Sequence, residues 1–491
     1  MIKRQHTVTT FILLLSVLLA LFSGGCAQNP VTGKSDFVLM SEDQEIAIGR
    51  QNHPQILKQY GEVNDAKLQR YVQNVGARVA RISHRSNLIF RFTLLDSAEV
   101  NAFALPGGYI YITRGLLAYL NNEAQLAAVL GHEIGHVSAR HSVRQQSAGA
   151  ATGLLGAIIA ASIDIPQASN LVNVAGTALV RGYGREHELE ADRLGAEYLA
   201  RSGYSPAAML DVIRVLKDQE TFEKTLAKQQ DREPRVYHGV FATHPDNDSR
   251  LKNVVGRANA LKVRNPRINR TGFLNNLNGM TFGAGEREGI LRGRDFYHKP
   301  LGIALRFPKD WKVQNLPDRL LTHPLNRAAV MQITIEDINR RISPRDFMIQ
   351  RMRLKNISHD ERIRNADGMQ GYTAIATVRT SYGNRKTRFV VMYFENRAYI
   401  FAGAGKNIRD PFQYDREFIS VAKSLRRLRS SETRLATPLK IRIVKANKRT
   451  RFSRLARKSR ITNNPEQQLR LLNQRYPRGE PANGEYIKVV K

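Results

Sequence analysis

The clearest periodic pattern in this chain lies between residues 122 and 137. Apolar residues recur there every three or four positions, at Leu126, Leu130, Ile134 and Val137. Such spacing places them on one face of an α-helix. Asn122 and Gln125 resemble a capping box at its start, with Asn in place of Ser or Thr. The pattern predicts a helix from about Asn122 into the basic segment near Arg144.

Hydrophobic periodicity also predicts the elements before this helix. In chain order they are helices at about 41–50 and 68–79, a strand at 90–95 and hairpin arms at 101–105 and 109–113. Ser41 and Gln44 form the capping box of the first helix. Pro106, Gly107 and Gly108 separate the two hairpin arms, and residues of these types favour a tight turn.

The pattern changes after about residue 290, where strands become frequent. Strands are predicted at 301–307, 311–315, 328–335, 372–379, 388–394 and 399–402, with helices at 344–354 and 411–428. This arrangement predicts an α/β sandwich domain over residues 285–430, which contains no recognisable catalytic motif. The last segment, 438–491, has the order strand, helix, helix, strand and predicts a small β-α-α-β module.

The helix predicted from residue 122 carries a candidate metal site. Residues four apart lie on the same helix face, so His132 and His136 can present two imidazoles to one zinc ion. Glu133 is turned partly away, where its carboxylate could reach a metal-bound water. The His-Glu-x-x-His sequence also occurs by chance, in helices whose two histidines are hydrogen-bonded and bind no metal. A third ligand must distinguish these interpretations.

A second predicted helix, residues 185–193, supplies the third candidate ligand. Glu188 and Asp192 are four residues apart and share one helix face. Glu188 could bind zinc, while Asp192 could accept a hydrogen bond from the outer N–H of a ligating histidine, for which we expect His132. The alternative is a solvent-exposed acidic helix face.

Neighbouring residues are expected to have other roles. Glu186 and Glu190 are predicted to face solvent, and His187 to point elsewhere. On a continuous helix His141 lies off the face of the two motif histidines, so we expect it to be structural. The small residue Gly195 would allow the two helices to approach closely.

Charge indicates an anionic partner. The 491-residue chain has 76 basic and 43 acidic side chains, a formal net charge of +33. Nucleic acid, a membrane surface and a cell-wall polymer would all fit this excess. The apolar content of 42% is ordinary and sufficient for several folded domains.

The N-terminus argues against nucleic acid because it resembles an export signal. Basic residues precede an apolar run, 11–22, that is too short for a stable membrane span. The run ends in Ser23-Gly24-Gly25-Cys26, which resembles a bacterial lipoprotein signal with Ser23 in place of the usual Leu. Cys26 is the only cysteine, so it cannot form an internal disulfide. We expect Cys26 to carry the lipid; the alternatives are ordinary secretion or a retained anchor.

The combination of motifs resembles peptidase family M48, a family of zinc metallopeptidases. The His-Glu-x-x-His sequence is followed about fifty residues later by Glu-x-x-Ala-Asp, at 188–192. The stretch 101–108 is similar to the family's substrate-side strand. The resemblance covers about residues 29–265, roughly half the chain, and is strongest over 101–195. It implies a gluzincin-type, mainly helical fold with a small sheet, and cleavage of peptide bonds.

This resemblance implies a role for each site residue. One Zn²⁺ per chain would be held by His132, His136 and Glu188. Asp192 would support a ligating histidine, and Glu133 would act as general base on the zinc-bound water. Asn101 and Ala102 begin the strand that would bind an extended substrate by edge addition. His244 would lie near the zinc, either as a fourth, inhibitory ligand or as a donor to the oxyanion; the alternative is a loop histidine held by Pro245.

Two further similarities concern the rest of the chain. The segment that begins near Gly302 and includes Trp311 is similar to PsbP-like lumenal domains. Residues 439–491 resemble a degenerate LysM module, a unit that binds glycan strands, with Lys448-Arg449-Thr450 where Gly-Asp-Thr is usual. The alternative for this segment is a solvent-exposed basic tail.

The predicted fold class is α+β: a mainly helical zincin-like domain, an α/β sandwich and a β-α-α-β module. The predicted ranges are 1–26 for the signal and lipidated cysteine, 27–275 for the peptidase domain, 285–430 for the sandwich and 438–491 for the basic module. The predicted function is a periplasmic zinc endopeptidase, anchored to the outer membrane through Cys26 and acting on unfolded or misfolded envelope proteins. The C-terminal module could bind peptidoglycan, and nucleic acid is not an expected partner. The alternative is a non-catalytic cell-wall-binding lipoprotein with a closed zinc site.

Overall fold

The computed structural model describes residues 26–149, 184–229, 263–316 and 318–491, together with Pro234 and Leu261. The predicted signal segment before Cys26 and the candidate residue His244 lie outside the described residues. The chain divides into two compact units, one up to Phe282 together with Lys440–Lys491, and one from Gly283 to Leu439. Helices and several sheets are both present, which confirms the α+β class. No helix in the described part of the chain is long and apolar enough to cross a bilayer.

The first unit is mainly helical. In the described residues before 282, its helices include α1 (Glu42–Tyr60), α2 (Ala66–Ala80), α3 (Arg114–Tyr119), α4 (Glu123–Ser138), α5 (Arg185–Arg201), α6 (Ala207–Gln229) and α7 (Arg270–Leu277). Its strands there are β1 (Cys26–Gln28), β2 (Ser35–Phe37), β3 (Arg91–Leu95), β4 (Ala102–Leu105), β5 (Tyr109–Thr113) and β6 (Thr281–Phe282). The core lies between α4, which is buried along its whole length, and the helices and strands around it.

Strands β3, β4 and β5 form a sheet in the order β3-β5-β4. β4 and β5 are antiparallel, with Ala102 opposite Ile112, so the predicted hairpin is confirmed. Gly107 and Gly108 form its turn with φ angles of 78° and 86°, a conformation that favours glycine. Within the described residues, β4 is one of the two edge strands of this sheet, and β3 is the other.

Helix α1 continues past its predicted end near Arg50, through Pro54 to Tyr60. Proline lacks an N–H and usually ends a helix. Here burial outweighs that cost, because the last turns pack on an aromatic cluster. The contacts join Ile56, Leu57 and Tyr60 to Leu95, Tyr109 and Tyr111.

The start of α4 is fixed by hydrogen bonds to its first residue, Glu123. The Glu123 carboxylate accepts from the Tyr204 hydroxyl at 2.7 Å, the Tyr71 hydroxyl at 2.9 Å and the Arg78 guanidinium at 3.1 Å. Asn122 caps the same end by accepting from the Gln125 N–H at 2.9 Å. A carboxylate at a helix N-terminus also interacts favourably with the helix dipole. The helix is therefore anchored nine residues before its first motif histidine.

The predicted continuation of this helix to Arg144 is wrong. α4 ends at Ser138, Arg140 has a φ of 55°, and a separate helical segment covers residues 141–149. The Arg140 guanidinium binds the Glu45 carboxylate and donates to the Met40 carbonyl oxygen at 2.7 Å. Because Glu45 is itself buried, this ion pair holds Arg140 in the left-handed conformation that breaks the helix. The chain therefore changes direction directly after the histidine motif.

The second unit consists mainly of strands. They are β7 (Ile290–Arg292), β8 (Asp295–His298), β9 (Ile303–Arg306), β10 (Trp311–Asn315), β11 (Leu320–Pro324), β12 (Ala329–Asp337), β13 (Ser358–Arg364), β14 (Gln370–Thr380), β15 (Gly383–Phe394), β16 (Arg397–Gly405) and β17 (Arg426–Arg427). Its helices are α8 (Pro344–Asp346), continued by a π-helical turn (Phe347–Arg351), and α9 (Asp415–Lys423), followed by a 3₁₀ turn (Ser430–Glu432).

These strands form two antiparallel sheets. One has seven strands in the order β10-β11-β12-β16-β15-β14-β13, and the other has four in the order β17-β9-β8-β7. A hydrophobic core joins the two sheets and α9. It includes Phe296, Leu305, Ile333, Tyr399 and Phe418.

The C-terminal segment returns to the first unit. It contains β18 (Leu439–Lys445), α10 (Phe452–Arg457), α11 (Pro465–Leu472) and β19 (Tyr486–Val490), which is the predicted strand, helix, helix, strand order. β18 pairs with β6 and β19 in one sheet. Lys488 is fully buried, and its side-chain nitrogen donates to the carbonyl oxygens of Ala118 at 2.5 Å and Leu120 at 2.7 Å. These bonds join the segment to the connection that leads into α4.

Lys488→Met is expected to lower the free energy of unfolding of the first unit by about 2–4 kcal/mol, because two buried carbonyls lose their donor. Methionine keeps the apolar stem, and Lys491→Met, at an exposed position, is the control. Urea unfolding followed by circular dichroism would measure the change. Trp311, the only tryptophan, reports separately on the second unit. Equal stability of the two variants would contradict the anchoring role of Lys488.

Candidate active site

The site is built where α4 crosses α5, and small residues make the crossing close. A β-carbon at position 135 would lie 2.9 Å from the carbonyl oxygen of Ala191. One at position 195 would lie 3.1 Å from the backbone nitrogen of His132. Any larger side chain at Gly135 or Gly195 would push the helices apart. The two sequence motifs therefore meet because both carry glycine at the contact.

This crossing brings together His132, His136 and Glu188. The Nε2 atoms of the two histidines are 3.0 Å apart, and the Glu188 carboxylate oxygens lie 3.5 Å and 3.4 Å from them. The three residues are 6%, 1% and 0% exposed. A tetrahedral zinc ion with ligands at 2.0–2.1 Å separates neighbouring ligand atoms by about 3.3 Å. The donor types and spacing of the cluster thus fit zinc.

The environment favours the protonation state that binds metal. Burial lowers the pKa of His136 well below that of a free imidazole, because desolvation disfavours the charged ring. The histidine is therefore neutral near pH 7, as a metal ligand must be.

Asp192 lies behind His132. One of its carboxylate oxygens is 2.8 Å from Nδ1 of His132, and the side chain is 1% exposed. When Nε2 faces the ligand cluster, Nδ1 carries the proton and can donate to Asp192. Such a bond fixes both the tautomer and the orientation of the ring.

His141 lies beside His136. On a continuous helix it would have pointed away from the site. The break at Arg140 brings its Nδ1 to 2.8 Å from Nδ1 of His136, and the ring is fully buried. Nε2 of His141 lies 3.0 Å from the Glu190 carboxylate. The expectation that His141 lies off the face of the two motif histidines is therefore wrong. Residues 136, 141 and 190 form a continuous chain of hydrogen-bonding groups.

Glu190 is not a solvent-exposed helix residue either. Its hydrogen bond from His141 lowers the pKa of its carboxyl to about 2, and Arg144 contributes from 3.1 Å. Glu190 is half-buried, whereas Glu186 is exposed as expected. Because the carboxylate stays ionised, it can accept the Nε2 proton of His141.

An apolar pocket opens beside Glu133. Its wall contains Glu133, His132 and Ala102, the first residue of β4. The other lining residues are apolar: Leu116, Ala128, Val129, Met209, Val212, Ile213 and Leu216. Asn101, immediately before β4, bonds through its backbone to Thr113, and its buried side-chain oxygen has no hydrogen-bond partner among the described residues. The edge strand and the Glu133 carboxylate therefore border the same pocket.

Two predicted site residues remain, Cys26 and His244. Cys26 is the first residue of β1 and pairs with Phe37 of β2. His244 lies outside the part of the chain that the structure describes, so the described geometry does not include it.

Comparison with known families decides the identity of this region. Residues 66–258 match the model of peptidase family M48. They are an M48 peptidase domain. The match contains the hairpin, the ligand cluster and the helices that carry it, and it confirms the resemblance inferred from the motifs. M48 peptidases depend on zinc, in agreement with the donor set of the cluster.

Curated relatives support the M48 assignment. The chain is 32% identical over 271 residues to the beta-barrel assembly-enhancing protease of Escherichia coli K12, an alignment that covers 53% of each protein. It is 26% identical over 260 residues to the mitochondrial metalloendopeptidase OMA1 of Saccharomyces cerevisiae, covering 48% of this chain and 72% of that one. The chain therefore spans about half the length of the bacterial relative.

Among solved structures, cyanobacterial PsbP from Synechocystis matches with a TM-score of 0.23 and 15% identity, over 28% of this chain and 93% of that chain. A TM-score this low supports no conclusion about fold or function.

Proposed function

We propose that this chain is a zinc-dependent endopeptidase of the cell envelope. The observation that carries the proposal is the buried cluster of His132, His136 and Glu188, at zinc spacing inside an M48 domain. When bound there, zinc supplies a Lewis acid that lowers the pKa of a water to about 7. The protein supplies the ligands, their orientation and the proton transfer.

Glu133 is the proposed general base. It takes the proton of the attacking water and returns it to the leaving amine. The side chain is 2% exposed and borders an apolar pocket, which excludes bulk water from the proton transfer. General-base assistance contributes about 10²–10⁴ to the rate.

The substrate is proposed to bind as an extended strand along the edge strand β4. Backbone pairing with Ala102–Leu105 would hold the peptide, and the apolar pocket beside Glu133 would accept an apolar side chain near the cleaved bond. A folded protein rarely offers a free extended segment. This requirement favours unfolded or misfolded proteins as substrates. The M48 match favours a gluzincin-type arrangement of cleft and helix.

The cellular location of the protein and its contacts with the envelope are proposed from the sequence. The signal-like N-terminus and the single Cys26 favour a periplasmic protein anchored to the outer membrane. The basic C-terminal segment favours peptidoglycan as a further contact. His244 remains a candidate fourth ligand or oxyanion donor on the strength of its Thr-His-Pro sequence.

His141 is proposed to position His136. If Nε2 of His136 faces the metal, its Nδ1–H donates to Nδ1 of His141, whose Nε2–H donates to Glu190. This directionality requires a neutral His141, and burial lowers the pKa of His141 accordingly. Loss of a group that hydrogen-bonds to a metal-ligating histidine typically lowers metal affinity by about 10–100-fold.

His141→Phe is therefore expected to weaken zinc binding by about 10–100-fold. In His141→Asn, the side-chain oxygen can take the place of Nδ1 and accept from His136, so most of the affinity should return. Competition with a chromogenic chelator measures both variants. Equal zinc affinity of His141→Phe and the unmodified chain would contradict the positioning role.

The proposed activity is tested by incubating the purified chain with one protein in two forms, native and reduced ribonuclease A. Cleavage within the reduced chain, with little attack on the native form, is the expected result. Mass spectrometry of the products identifies the residues that flank each cut. No cleavage of the reduced form, or equal cleavage of both forms, would contradict strand-edge recognition of unfolded substrates.

A further inference from the structure

Three loops lie at one end of the seven-stranded sheet of the second unit. They are residues 325–328 between β11 and β12, residues 379–386 around the β14–β15 turn, and residues 406–412 after β16. The register brings two of them together, because β12 begins with Ala329 opposite Gly405, the last residue of β16. The β14–β15 turn lies at the same end, since β15 runs antiparallel beside β16.

Hydrogen bonds join the three loops into one surface. The backbone N–H of Lys406 donates to the carbonyl oxygen of Ala328 at 2.8 Å. The Tyr382 hydroxyl donates to the carbonyl oxygen of Arg327 at 3.1 Å. Each bond links the loop after β11 to one of the other two. We call these three segments the loop surface.

Large apolar side chains project from the loop surface. Leu325 is 60% exposed, Ile408 72% and Phe412 38%. Single exposed apolar side chains are common on proteins, but three on adjoining loops form a patch of the kind that marks interaction sites. The side-chain nitrogen of Lys386 lies 5.6 Å from the centre of the Phe412 ring, so a cation borders this patch.

The loop surface is also strongly basic. Its segments contain one acidic residue, Asp410, and six basic residues: Arg327, Arg379, Arg385, Lys386, Lys406 and Arg409. All of the basic residues except Arg385 are exposed. None of the six forms an ion pair with another described residue. The next acidic residue along the chain, Asp415, is paired with Arg388 at 2.7 Å and does not neutralise them.

The apolar patch and the charge together fit a lipid surface. A polyanion would pair with the cations but would leave the apolar side chains in water. At a bilayer surface, apolar side chains enter the boundary between headgroups and acyl chains, while cations bind anionic headgroups. A bilayer that contains anionic lipids therefore satisfies both features.

We propose that the loop surface docks on a bilayer that contains anionic phospholipids. Leu325, Ile408 and Phe412 enter the interface, and the exposed cations around them face the headgroups. The second unit thus contacts a membrane through its own folded residues, separately from any lipid on Cys26. This inference does not rest on the proposed peptidase activity.

Flotation with lipid vesicles tests the proposal on the full chain. Every protein in the test carries Cys26→Ser, so that no lipid on this residue contributes and the N-terminus is the same throughout. Binding is expected to vesicles of phosphatidylcholine mixed with phosphatidylglycerol. It should be at least about 10-fold weaker with phosphatidylcholine alone. Equal binding to both kinds of vesicle would overturn the proposal.

Charge variants locate the electrostatic part of the binding. Replacement of both Arg327 and Arg409 by Gln should weaken binding to the anionic vesicles by about 25-fold, because each basic side chain near such a surface contributes about five-fold. The control replaces Arg340 and Arg341, which are exposed in the same unit but outside the loop surface. It removes the same charge and should lose much less. Equal losses would show that binding follows net charge and would overturn the proposal.

Ile408→Ser tests insertion into the bilayer. It should weaken vesicle binding by about 10-fold, because burial of the isoleucine side chain is lost. Ile89→Ser, at a position that is 68% exposed in the first unit, is the matched control and should bind as the parent does. Inorganic polyphosphate has no apolar region, so Ile408→Ser and the parent should bind it equally. Equal vesicle binding by Ile408→Ser and the parent would reduce the loop surface to a site for charge alone and would overturn the proposal.

Discussion

Glu133→Gln is expected to abolish peptide cleavage while zinc content and fold remain unchanged. Glutamine has the same shape as glutamate but cannot take a proton from water. The rate should therefore fall by at least about 10²–10⁴. Because Glu133 is not one of the three clustered ligand residues, metal analysis should still find one zinc per chain. Cleavage of reduced ribonuclease A and metal content would be measured on the same preparation.

Glu186→Gln is the matched control for this experiment. Glu186 lies in the first turn of α5 and is exposed, so the same chemical change there should leave the rate unchanged. Retained cleavage by Glu133→Gln would mean that another group acts as the base. A parallel loss in Glu186→Gln would point to a general effect on the protein preparation.

Glu188→Ala is expected to remove the metal and, with it, all cleavage. Glu188 is fully buried and supplies the only carboxylate of the cluster in the described residues. Removal of a direct ligand should lower zinc affinity by more than the roughly 10–100-fold that is lost when a group hydrogen-bonded to a ligand is removed. Metal analysis after dialysis measures the loss, with Glu186→Ala as control. Full zinc occupancy in Glu188→Ala would assign the ligand role to a different carboxylate.

The grouping of ligands could be predicted from sequence because it depends on local rules. Residues four apart share a helix face, so His132 with His136, and Glu188 with Asp192, each form a pair within one element. Only the meeting of the two helices is non-local, and Gly195 indicated a close contact. The hairpin before α4 was predicted for a similar reason, since its turn residues and alternation are adjacent in the chain.

The part played by His141 could not be predicted in this way. It depends on the helix break at Arg140, and that break depends on an ion pair with Glu45, 95 residues earlier. The local pattern favours a continuous helix, on which His141 points away. Glu190 was misjudged for the same reason, because its partner is His141.

Long-range packing also explains the other differences. α1 passes through Pro54 because its end is buried on an aromatic cluster. The C-terminal strands and helices have the predicted order, but nothing in residues 438–491 alone reveals that Lys488 bonds to carbonyls about 370 positions earlier. Periodicity predicts elements, whereas such contacts depend on the folded chain.

The most direct test of a zinc-dependent peptidase is a titration of the metal-free chain with zinc, with cleavage of reduced ribonuclease A measured at each addition. The site of His132, His136 and Glu188 predicts no cleavage at the start, a linear rise with added zinc and a plateau at one equivalent per chain. Two results would contradict a zinc-dependent peptidase: cleavage at the full rate by the metal-free chain, or no cleavage by a chain that has bound one zinc ion.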